Sequence, residues 1–279
     1  MPLTKKTIGF LGAGRMAEAL VNGLISSRLV SPGQITVSDR DKKRLVLMAE
    51  KYEVKVFNKN YEVAKASDII LLAVKPPDSD GVLEEIAPEV TKEKLVISLV
   101  AGKTIGAILE SLRRGGTTHH VPIVRAMPNT PALIGEGTTG IFAESACGKE
   151  GLKMAKAVFN AVGTTVEVKD ESLMDAVTGI SGSGPAYMFL FMETLVEAGI
   201  HEGLTEEDAL ALVLKTALGA AKMAATSTKG LGELIAMVAS PGGTTVEALK
   251  VFEHSGLKKI VDSAVKAAVK RSRELSGTN

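Results

Sequence analysis

The chain has 279 residues, of which 45% are hydrophobic, and its formal net charge is +1 at pH 7. This size and composition predict a globular protein large enough for two domains, and the near-neutral charge excludes the basic excess of a nucleic-acid-binding protein. The single cysteine, Cys147, excludes intramolecular disulfides and indicates a reducing compartment. We therefore expect a protein that acts on small molecules.

The first residues indicate a cytoplasmic protein. An apolar strand is predicted from residue 7, which leaves no room for the apolar core and cleavage site of a signal peptide. An uncharged stretch over residues 178–192 contains three glycines and one proline. It is shorter than the roughly 18 to 20 residues that a membrane helix requires. We expect no membrane span and no membrane partner.

Strand and helix signals alternate through the first half of the chain. Helical periodicity predicts helices over residues 16–27 and 41–51. Short apolar runs predict strands over residues 7–11, 34–38, 54–56, 68–74, 95–99 and 122–126. Helical stretches lie between most of these strands, which is typical of an α/β fold with a doubly wound, mostly parallel sheet. We predict an N-terminal Rossmann-type, dinucleotide-binding domain over residues 1–168.

Strand signals stop at about residue 171, and apolar residues then recur at helical spacing. We predict an all-α C-terminal domain over residues 169–279. Its predicted helices cover residues 173–199, 205–225, 231–239, 246–254 and 257–275. Residues 188–192 are apolar on nearly every face, as in helices that are buried between subunits. We therefore expect an oligomer.

The turn after the first predicted strand carries a dinucleotide-binding motif. A strand precedes the turn and a helix follows it, as the G-x-G-x-x-A pattern requires. The first glycine permits the tight turn, the second lets a pyrophosphate approach the backbone, and the small third residue lets helix and strand pack closely. In this context the motif favours NAD or NADP over FAD. Its residues are Gly12, Ala13, Gly14, Arg15, Met16 and Ala17.

The end of the second strand leaves the choice between NAD and NADP open. Asp39 can hydrogen-bond the ribose 2′-hydroxyl of NAD, whereas Arg40, with a lysine two or three residues beyond it, can hold the 2′-phosphate of NADP. Two later strand ends, residues 73–76 and 99–102, are expected at the same carboxyl edge of the sheet, where ligands of this fold bind. Lys75 is the informative charge among them.

A glycine-rich loop at residues 240–245 precedes the predicted helix 246–254. Its glycines allow a tight turn and the first-turn N–H groups of the helix lack internal partners, so the loop can bind a carboxylate or phosphate. Thr244 and Glu247 fit a capping box with Thr244 as the N-cap. Thr245 is then free to meet a ligand. An ordinary turn and helix cap is the alternative interpretation.

Residues 178–187 bear on the type of reaction. Their G-x-x-G-x-G pattern resembles that of Rossmann-fold dehydrogenases acting on 3-hydroxy acids, in which a catalytic lysine and then an asparagine follow. Met188 and Phe191 occupy those places here, and neither can move the proton of a hydroxyl group. A C=N substrate requires mostly orientation against the nicotinamide, because an iminium arrives already activated. The pattern therefore favours imine reduction.

Over essentially its whole length the chain resembles the pyrroline-5-carboxylate reductases, which reduce L-1-pyrroline-5-carboxylate to L-proline with NAD(P)H in the last step of proline biosynthesis. The matching segments are the motif at Gly12 and residues 68–76, 125–131, 175–187 and 238–248. At Met237 the chain departs from relatives that carry a polar residue. The resemblance implies dimers through the helical domain, commonly in larger rings, so we expect a homodimer or higher homo-oligomer.

The resemblance also implies the site residues. Beyond the glycine motif, the dinucleotide is expected to contact Asp39, Arg40, Asn60, Ala73, Val74, Lys75, Pro76, Leu99, Val100 and Ala101. The substrate carboxylate is expected on Ser240 and on the backbone of Gly243, Thr244 and Thr245. The Thr245 hydroxyl is expected to face the ring nitrogen as the catalytic group. Glu171 is expected near the substrate.

The remaining candidates receive structural interpretations. Cys147 has no histidine nearby and is expected to be inert. None of the four histidines has a partner at metal-ligand spacing, so no metal site is predicted. Arg125 precedes a rigid segment with two prolines and is expected to brace it rather than to line the active site.

Two alternative functions stay open. One is an NAD(P)-dependent dehydrogenase of a small hydroxy acid or amino acid on the same scaffold, which Met188 and Phe191 disfavour. The other is a dinucleotide-binding redox sensor without catalysis. Turnover of a cyclic imine carboxylate separates both from the reductase.

Overall fold

The computed structural model describes residues 2–276, and within them eight strands form one sheet. The strands are β1 (Ile8–Leu11), β2 (Ile35–Ser38), β3 (Lys55–Phe57), β4 (Ile69–Leu72), β5 (Leu95–Ser98), β6 (Ile123–Met127), β7 (Gly137–Ala143) and β8 (Gly163–Glu167). Their order is β3-β2-β1-β4-β5-β6-β7-β8. The β6–β7 pair is antiparallel and the other pairs are parallel. The predicted doubly wound, mostly parallel sheet is confirmed.

Helices connect the strands of the first half and make up the second half. In chain order they are α1 (Arg15–Ser26), α2 (Lys42–Tyr52), α3 (Asn60–Ala66), α4 (Ser79–Ile86), α5 (Ile105–Arg114), α6 (Gly148–Asn160), α7 (Leu173–Val177), α8 (Gly184–His201), α9 (Glu206–Thr226), α10 (Leu231–Val238), α11 (Thr244–His254) and α12 (Leu257–Ser276). The predicted elements of the first half lie within a few residues of the observed ones. The all-α character of the second half is also confirmed.

The central strands are buried on both faces. Every residue of β1, β2, β4 and β5 is buried. Successive side chains of a strand point to opposite faces, so Phe10 and Leu71 belong to one core cluster while Leu11 and Ile70 belong to the other. Parallel strands covered by helices on both sides have this continuous apolar sequence. The two cores fix the strand ends that carry the polar loops described below.

The sequence predicts neither β7 nor β8. Both strands contain glycine and threonine in place of a run of large apolar residues, reading GTTGIFA and GTTVE. At Gly140 in β7, a Cβ atom would collide with the methyl groups of Val177 on α7. The glycine is there because α7 packs directly on the strand, which a periodicity pattern does not reveal.

The helix predicted over residues 173–199 is interrupted. A π-helical turn, Thr178–Gly182, separates α7 from α8. A Cβ atom at Gly182 would lie 2.8 Å from the Cε of Met127. The close approach of the turn to the end of β6 therefore requires glycine, and the same residue weakens the regular helix.

The chain divides into two compact units. The first unit consists of two segments, one that ends at Ser183 and one that begins at Ala268. The second unit is Gly184–Ala267. The predicted boundary between residues 168 and 169 differs, since it assigns α7 and the end of α12 to the helical domain. Within the first unit, the Ser272 hydroxyl on α12 donates to Asp175 on α7 at 2.6 Å. This hydrogen bond joins residues that are 97 positions apart, so no local sequence pattern predicts it.

The second unit exposes much apolar surface. Met188, Phe189 and Leu190 on α8 are each 63% exposed, so the chain does not bury them by itself. In the described part of the chain, α9 is the one helix long and apolar enough to cross a membrane, with a mean hydropathy of 1.4. Length and composition alone are weak evidence for a membrane span. The exposed apolar side chains of α8 are typical of an interaction site.

Candidate active site

A cleft of about 850 Å³ opens at the carboxyl edge of the sheet in the first unit. Ligands of doubly wound sheets bind at this edge. The loops after β1, β2, β3 and β4, together with α4, line the cleft. The lining residues are Gly12, Gly14, Asp39, Arg40, Asp41, Arg44, Asn58, Lys59, Asn60, Ala73, Val74, Lys75, Pro77, Asp78, Gly81, Val82 and Glu85.

Two side chains hold the backbone of Ala13, the middle residue of the glycine loop. The Ala13 N–H donates to Asp39 Oδ2 at 2.6 Å, and Arg44 Nε donates to the Ala13 carbonyl at 2.7 Å. Arg44 also donates to Glu18 on α1 at 2.7 Å, and this hydrogen bond is the largest cause that lowers the pKa of Glu18. The loop is thus fixed from both sides by residues that follow β2.

The glycines of this loop fit a dinucleotide. Gly12 has φ +102°, and a Cβ atom there would lie 2.7 Å from the Ala73 carbonyl oxygen. A Cβ atom at Gly14 would have no neighbour within 4 Å. Gly14 is the N-cap of α1 and provides no side-chain cap, so first-turn N–H groups stay available to a phosphate. The residues present therefore fit the pyrophosphate of NAD or NADP.

Asp39 and Arg40 turn to different partners. The second oxygen of Asp39, Oδ1, accepts the Asp41 N–H at 2.8 Å, so both oxygens of this carboxylate already accept a backbone hydrogen bond. Arg40 pairs with Asp78 at 2.7 Å across the cleft. Arg44, rather than Lys42 or Lys43, is the second cation after β2 that lines the cleft.

Asn60 is fixed between two elements at the same edge. Its Oδ1 accepts the Ser38 hydroxyl at 2.8 Å, at the end of β2. Its backbone N–H and its Nδ2 donate to the Glu85 carboxylate on α4, at 2.9 and 2.6 Å. The side chain therefore has one orientation in the cleft wall.

The cleft brings together half of the predicted cofactor set. Those in its lining are Gly12, Gly14, Asp39, Arg40, Asn60, Ala73, Val74 and Lys75. Outside the lining are Ala13, Arg15, Met16, Ala17, Pro76, Leu99, Val100 and Ala101. Ala17 is fully buried, as the small third residue of the motif should be. Contact of each residue with the cofactor stays a prediction.

Sequence reasoning missed several lining residues. Arg44 has a sequence signal, because it is a cation in the first turn of the helix after β2. Asp78 and Glu85 have none, since they reach the cleft only through the placement of α4 and of the turn before it.

The loop after β5, predicted to contact the dinucleotide at residues 99–101, is anchored by a charged cluster. Asp80 on α4 accepts from Lys103 at 2.8 Å, from Ser111 at 2.5 Å and from Arg114 at 3.0 Å. These donors, Lys103 first, lower the pKa of Asp80 to about 2. The cluster therefore joins α4 and α5 to Lys103, which lies in the loop between β5 and α5.

This cluster predicts an acid-dependent loss of stability. The folded-state pKa of about 2 lies below the ~3.9 of an unfolded aspartate, so the stabilisation is present above about pH 4 and is lost as the pH falls towards 2. Urea unfolding of the native chain and of Asp80→Asn should show the variant less stable at neutral pH, with the difference shrinking below about pH 4. A difference that stays constant with pH would contradict this assignment.

Buried Arg125 and half-buried Glu171 form a brace. Arg125 on β6 is 7% exposed, and its Nη1 donates to Glu171 Oε1 at 2.9 Å. The same oxygen accepts the Ile105 N–H at 2.7 Å, at the first turn of α5. A carboxylate is favourable at a helix N-terminus. Arg125 thus braces Glu171 and the start of α5. That it also braces residues 127–131, and that Glu171 contacts the substrate, stay predictions.

The loop of residues 240–245 makes a tight turn before α11. Gly242 has φ +75°, and the Gly243 N–H donates to the Ser240 carbonyl at 3.0 Å. A Cβ atom at Gly243 would lie 2.9 Å from the Ser240 Oγ. Thr244 is exposed and Thr245 is half-buried. Both hydroxyls stand in the first turn of α11, where backbone N–H groups lack partners in the helix.

The predicted capping box is wrong. Gly243, with extended backbone angles, is the N-cap of α11, and Thr244 is already the first helical residue. Glu247 then lies one position too far along the helix for a capping box and pairs with Lys250 at 2.8 Å. Since glycine offers no capping side chain, the helix N–H groups are more available to an anion than the sequence suggested.

Cys147 is buried, and its thiol donates to the Ile123 carbonyl at 3.0 Å. Burial raises the pKa of this thiol to about 12, which agrees with an inert cysteine. Over residues 2–276, no group of three or more His, Cys, Asp or Glu residues could hold a metal ion.

Two family models match the chain. Residues 171–275 match a model described as pyrroline-5-carboxylate reductase dimerisation, and residues 7–102 match one described as NADP oxidoreductase, coenzyme F420-dependent. The pyrroline-5-carboxylate reductase of Methanosarcina acetivorans is 41% identical to this chain, over 98% of this chain and 99% of that protein. The chain belongs to the pyrroline-5-carboxylate reductase family. Residues 171–275 correspond to the dimerisation domain of that family.

Solved structures show the same relationship. A pyrroline-5-carboxylate reductase from Coxiella burnetii superposes with a TM-score of 0.90 and 40% identity, covering 97% of this chain and 98% of that one. The Plasmodium falciparum pyrroline carboxylate reductase with NADP bound gives a TM-score of 0.86 and 33% identity, covering 98% of each chain. The predicted family and fold are confirmed over nearly the full length of the chain.

Proposed function

We infer that this chain reduces L-1-pyrroline-5-carboxylate, a cyclic imine carboxylate, to L-proline with NADPH or NADH. The observation that carries the inference is the near-full-length match to pyrroline-5-carboxylate reductases, in a chain whose first unit holds a cleft that fits a dinucleotide. When bound, NAD(P)H supplies the hydride that adds to the imine carbon.

The first unit holds the cofactor. The Gly12 turn and the N-terminus of α1 receive the pyrophosphate, while Asp39 and Arg44 keep the loop in shape. Asn60, fixed by its hydrogen bonds, contributes a rigid polar wall. These groups orient the nicotinamide, and orientation is the main requirement for reducing an activated imine.

The loop before α11 holds the substrate. The N–H groups of Thr244 and Thr245 and the hydroxyl of Ser240 bind the carboxylate, where the partial positive charge of the helix terminus adds to the attraction. The Gly243 N–H shapes the turn by donating to the Ser240 carbonyl. The Thr245 hydroxyl meets the ring nitrogen and keeps the C=N bond in position. A hydroxyl can donate to and accept from that nitrogen as its charge changes.

A second copy of the chain completes the assembly. The apolar side chains of α8 are exposed in the single chain and lie in the segment that matches the dimerisation model. A homodimer buries these side chains. The proposal extends to larger rings that are built from such dimers. A cytoplasmic location stays a prediction.

The experiment uses the purified protein with L-1-pyrroline-5-carboxylate and either NADPH or NADH, and follows the nicotinamide absorbance. Oxidation of either cofactor with formation of proline is expected. Small 3-hydroxy acids with NAD(P)⁺ serve as the comparison for a dehydrogenase. Cofactor binding without imine turnover would instead support the redox sensor and contradict the reductase.

A further inference from the structure

The ion pair between Arg40 and Asp78 crosses the carboxyl end of β1 at the cleft. Arg40 follows β2 and Asp78 lies in the turn after β4, and these two strands flank β1 in the sheet. The 2.7 Å contact between Arg40 Nη2 and Asp78 Oδ2 therefore crosses the edge at which the Gly12 turn begins. Both residues line the cleft.

Of the two cations after β2 that line the cleft, Arg40 is the one available to a phosphate. Both oxygens of Asp39 already accept a backbone N–H, which draws this carboxylate towards the glycine loop. Arg44 is committed to the Ala13 carbonyl and to Glu18. Among residues 2–276, Arg40 has a single hydrogen-bonding partner, Asp78, and its side chain is 84% exposed.

We propose that Asp78 is a specificity-determining residue that limits the preference of this chain for NADPH over NADH. The inference rests on the proposed function for the identity of the cofactor. Asp78 holds Arg40 as a counter-ion, so the 2′-phosphate of NADPH has to replace a carboxylate to reach the guanidinium. NADH has no such group and leaves the pair intact.

The size of the effect follows from the exposure of the pair. A guanidinium can bind a carboxylate or a phosphate through two parallel hydrogen bonds. The Asp78 carboxylate and the 2′-phosphate of NADPH therefore compete for Arg40. Exposed ion pairs change an equilibrium constant only a few-fold. Removing the competing charge should therefore tighten NADPH binding by about two- to fivefold.

The test measures dissociation constants for NADPH and NADH without substrate, in the native chain and in Asp78→Asn, Arg40→Gln and the double variant. Adenosine 2′,5′-bisphosphate and 5′-AMP serve as probes of the 2′-phosphate alone. Glu50→Gln, which removes an exposed carboxylate of α2 outside the cleft lining, is the matched control for net charge. Melting temperatures check that each variant is folded.

In Asp78→Asn, NADPH and the bisphosphate should bind about two- to fivefold more tightly, with NADH and 5′-AMP unchanged. The gain should vanish when Arg40 is also replaced. An equal gain for NADH, the same gain in Glu50→Gln, a gain that survives in the Arg40→Gln background, or no gain for NADPH would each overturn the proposal. Because no substrate is present, failure of imine reduction would not alter these readouts.

Discussion

Replacing Thr245 by alanine is expected to reduce turnover of L-1-pyrroline-5-carboxylate by about ten- to a thousandfold, the range for removal of one positioned polar group. The hydroxyl stands at the second position of α11 and meets the ring nitrogen in the proposed site. Steady-state kinetics should show the loss mainly in kcat, because the backbone groups that bind the carboxylate are kept.

Two variants sharpen this result. Thr245→Ser keeps a hydroxyl and should recover most of the activity. Thr244→Ala removes the neighbouring hydroxyl. Because only the backbone N–H of Thr244 has a role in the proposed site, this variant should lose less activity than Thr245→Ala. Full activity in Thr245→Ala, or equal losses at the two threonines, would contradict the role proposed for Thr245.

Replacing Gly14 by valine is expected to weaken cofactor binding strongly and to leave the fold intact. The side chain would enter open space on the cleft side, and the extended backbone of Gly14 accepts any L-residue. The dissociation constants of NADPH and NADH should both rise by about a hundredfold, or roughly 2.7 kcal/mol, because the pyrophosphate loses its close approach to the backbone. Calorimetric titration measures the affinity, and thermal unfolding without cofactor measures the stability.

Two other glycines provide the contrast. Gly33 also has open space around it but lies away from the cleft, so Gly33→Val should bind both cofactors normally. Gly12 has a left-handed backbone and no room for a Cβ atom, so Gly12→Ala should lose stability as well as affinity. Normal cofactor affinity in Gly14→Val would show that the dinucleotide does not approach the loop as proposed.

The sheet was predictable from the sequence because its central strands are buried on both faces. Such strands are mostly apolar: β1 and β4 are wholly apolar, β5 departs only at Ser98, and β2 departs at Thr36 and Ser38. The strands β7 and β8 escaped because close packing there requires small residues. Gly140 shows the reason, since its neighbour Val177 is distant in sequence and adjacent in space.

The functional loops likewise divide into one that the local sequence identified and one whose helix start it misjudged. The Gly12 motif is local, because one tight turn has to satisfy both the strand and the helix that it joins, and the sequence therefore identified it. The start of α11 was misjudged by one residue, because Thr244 and Gly243 are both acceptable N-caps and only the backbone of the turn selects between them.

The sequence by itself determined the fold class, the family and the position of the cofactor loop, since each depends on residues that are close along the chain. The tertiary structure decided which charges meet. The clamp of Asp39 and Arg44 on Ala13, the brace of Arg125 and Glu171, and the counter-ion of Arg40 all join separate elements. An ion pair depends on distances of a few ångströms in space, and spacing along the chain does not fix those distances.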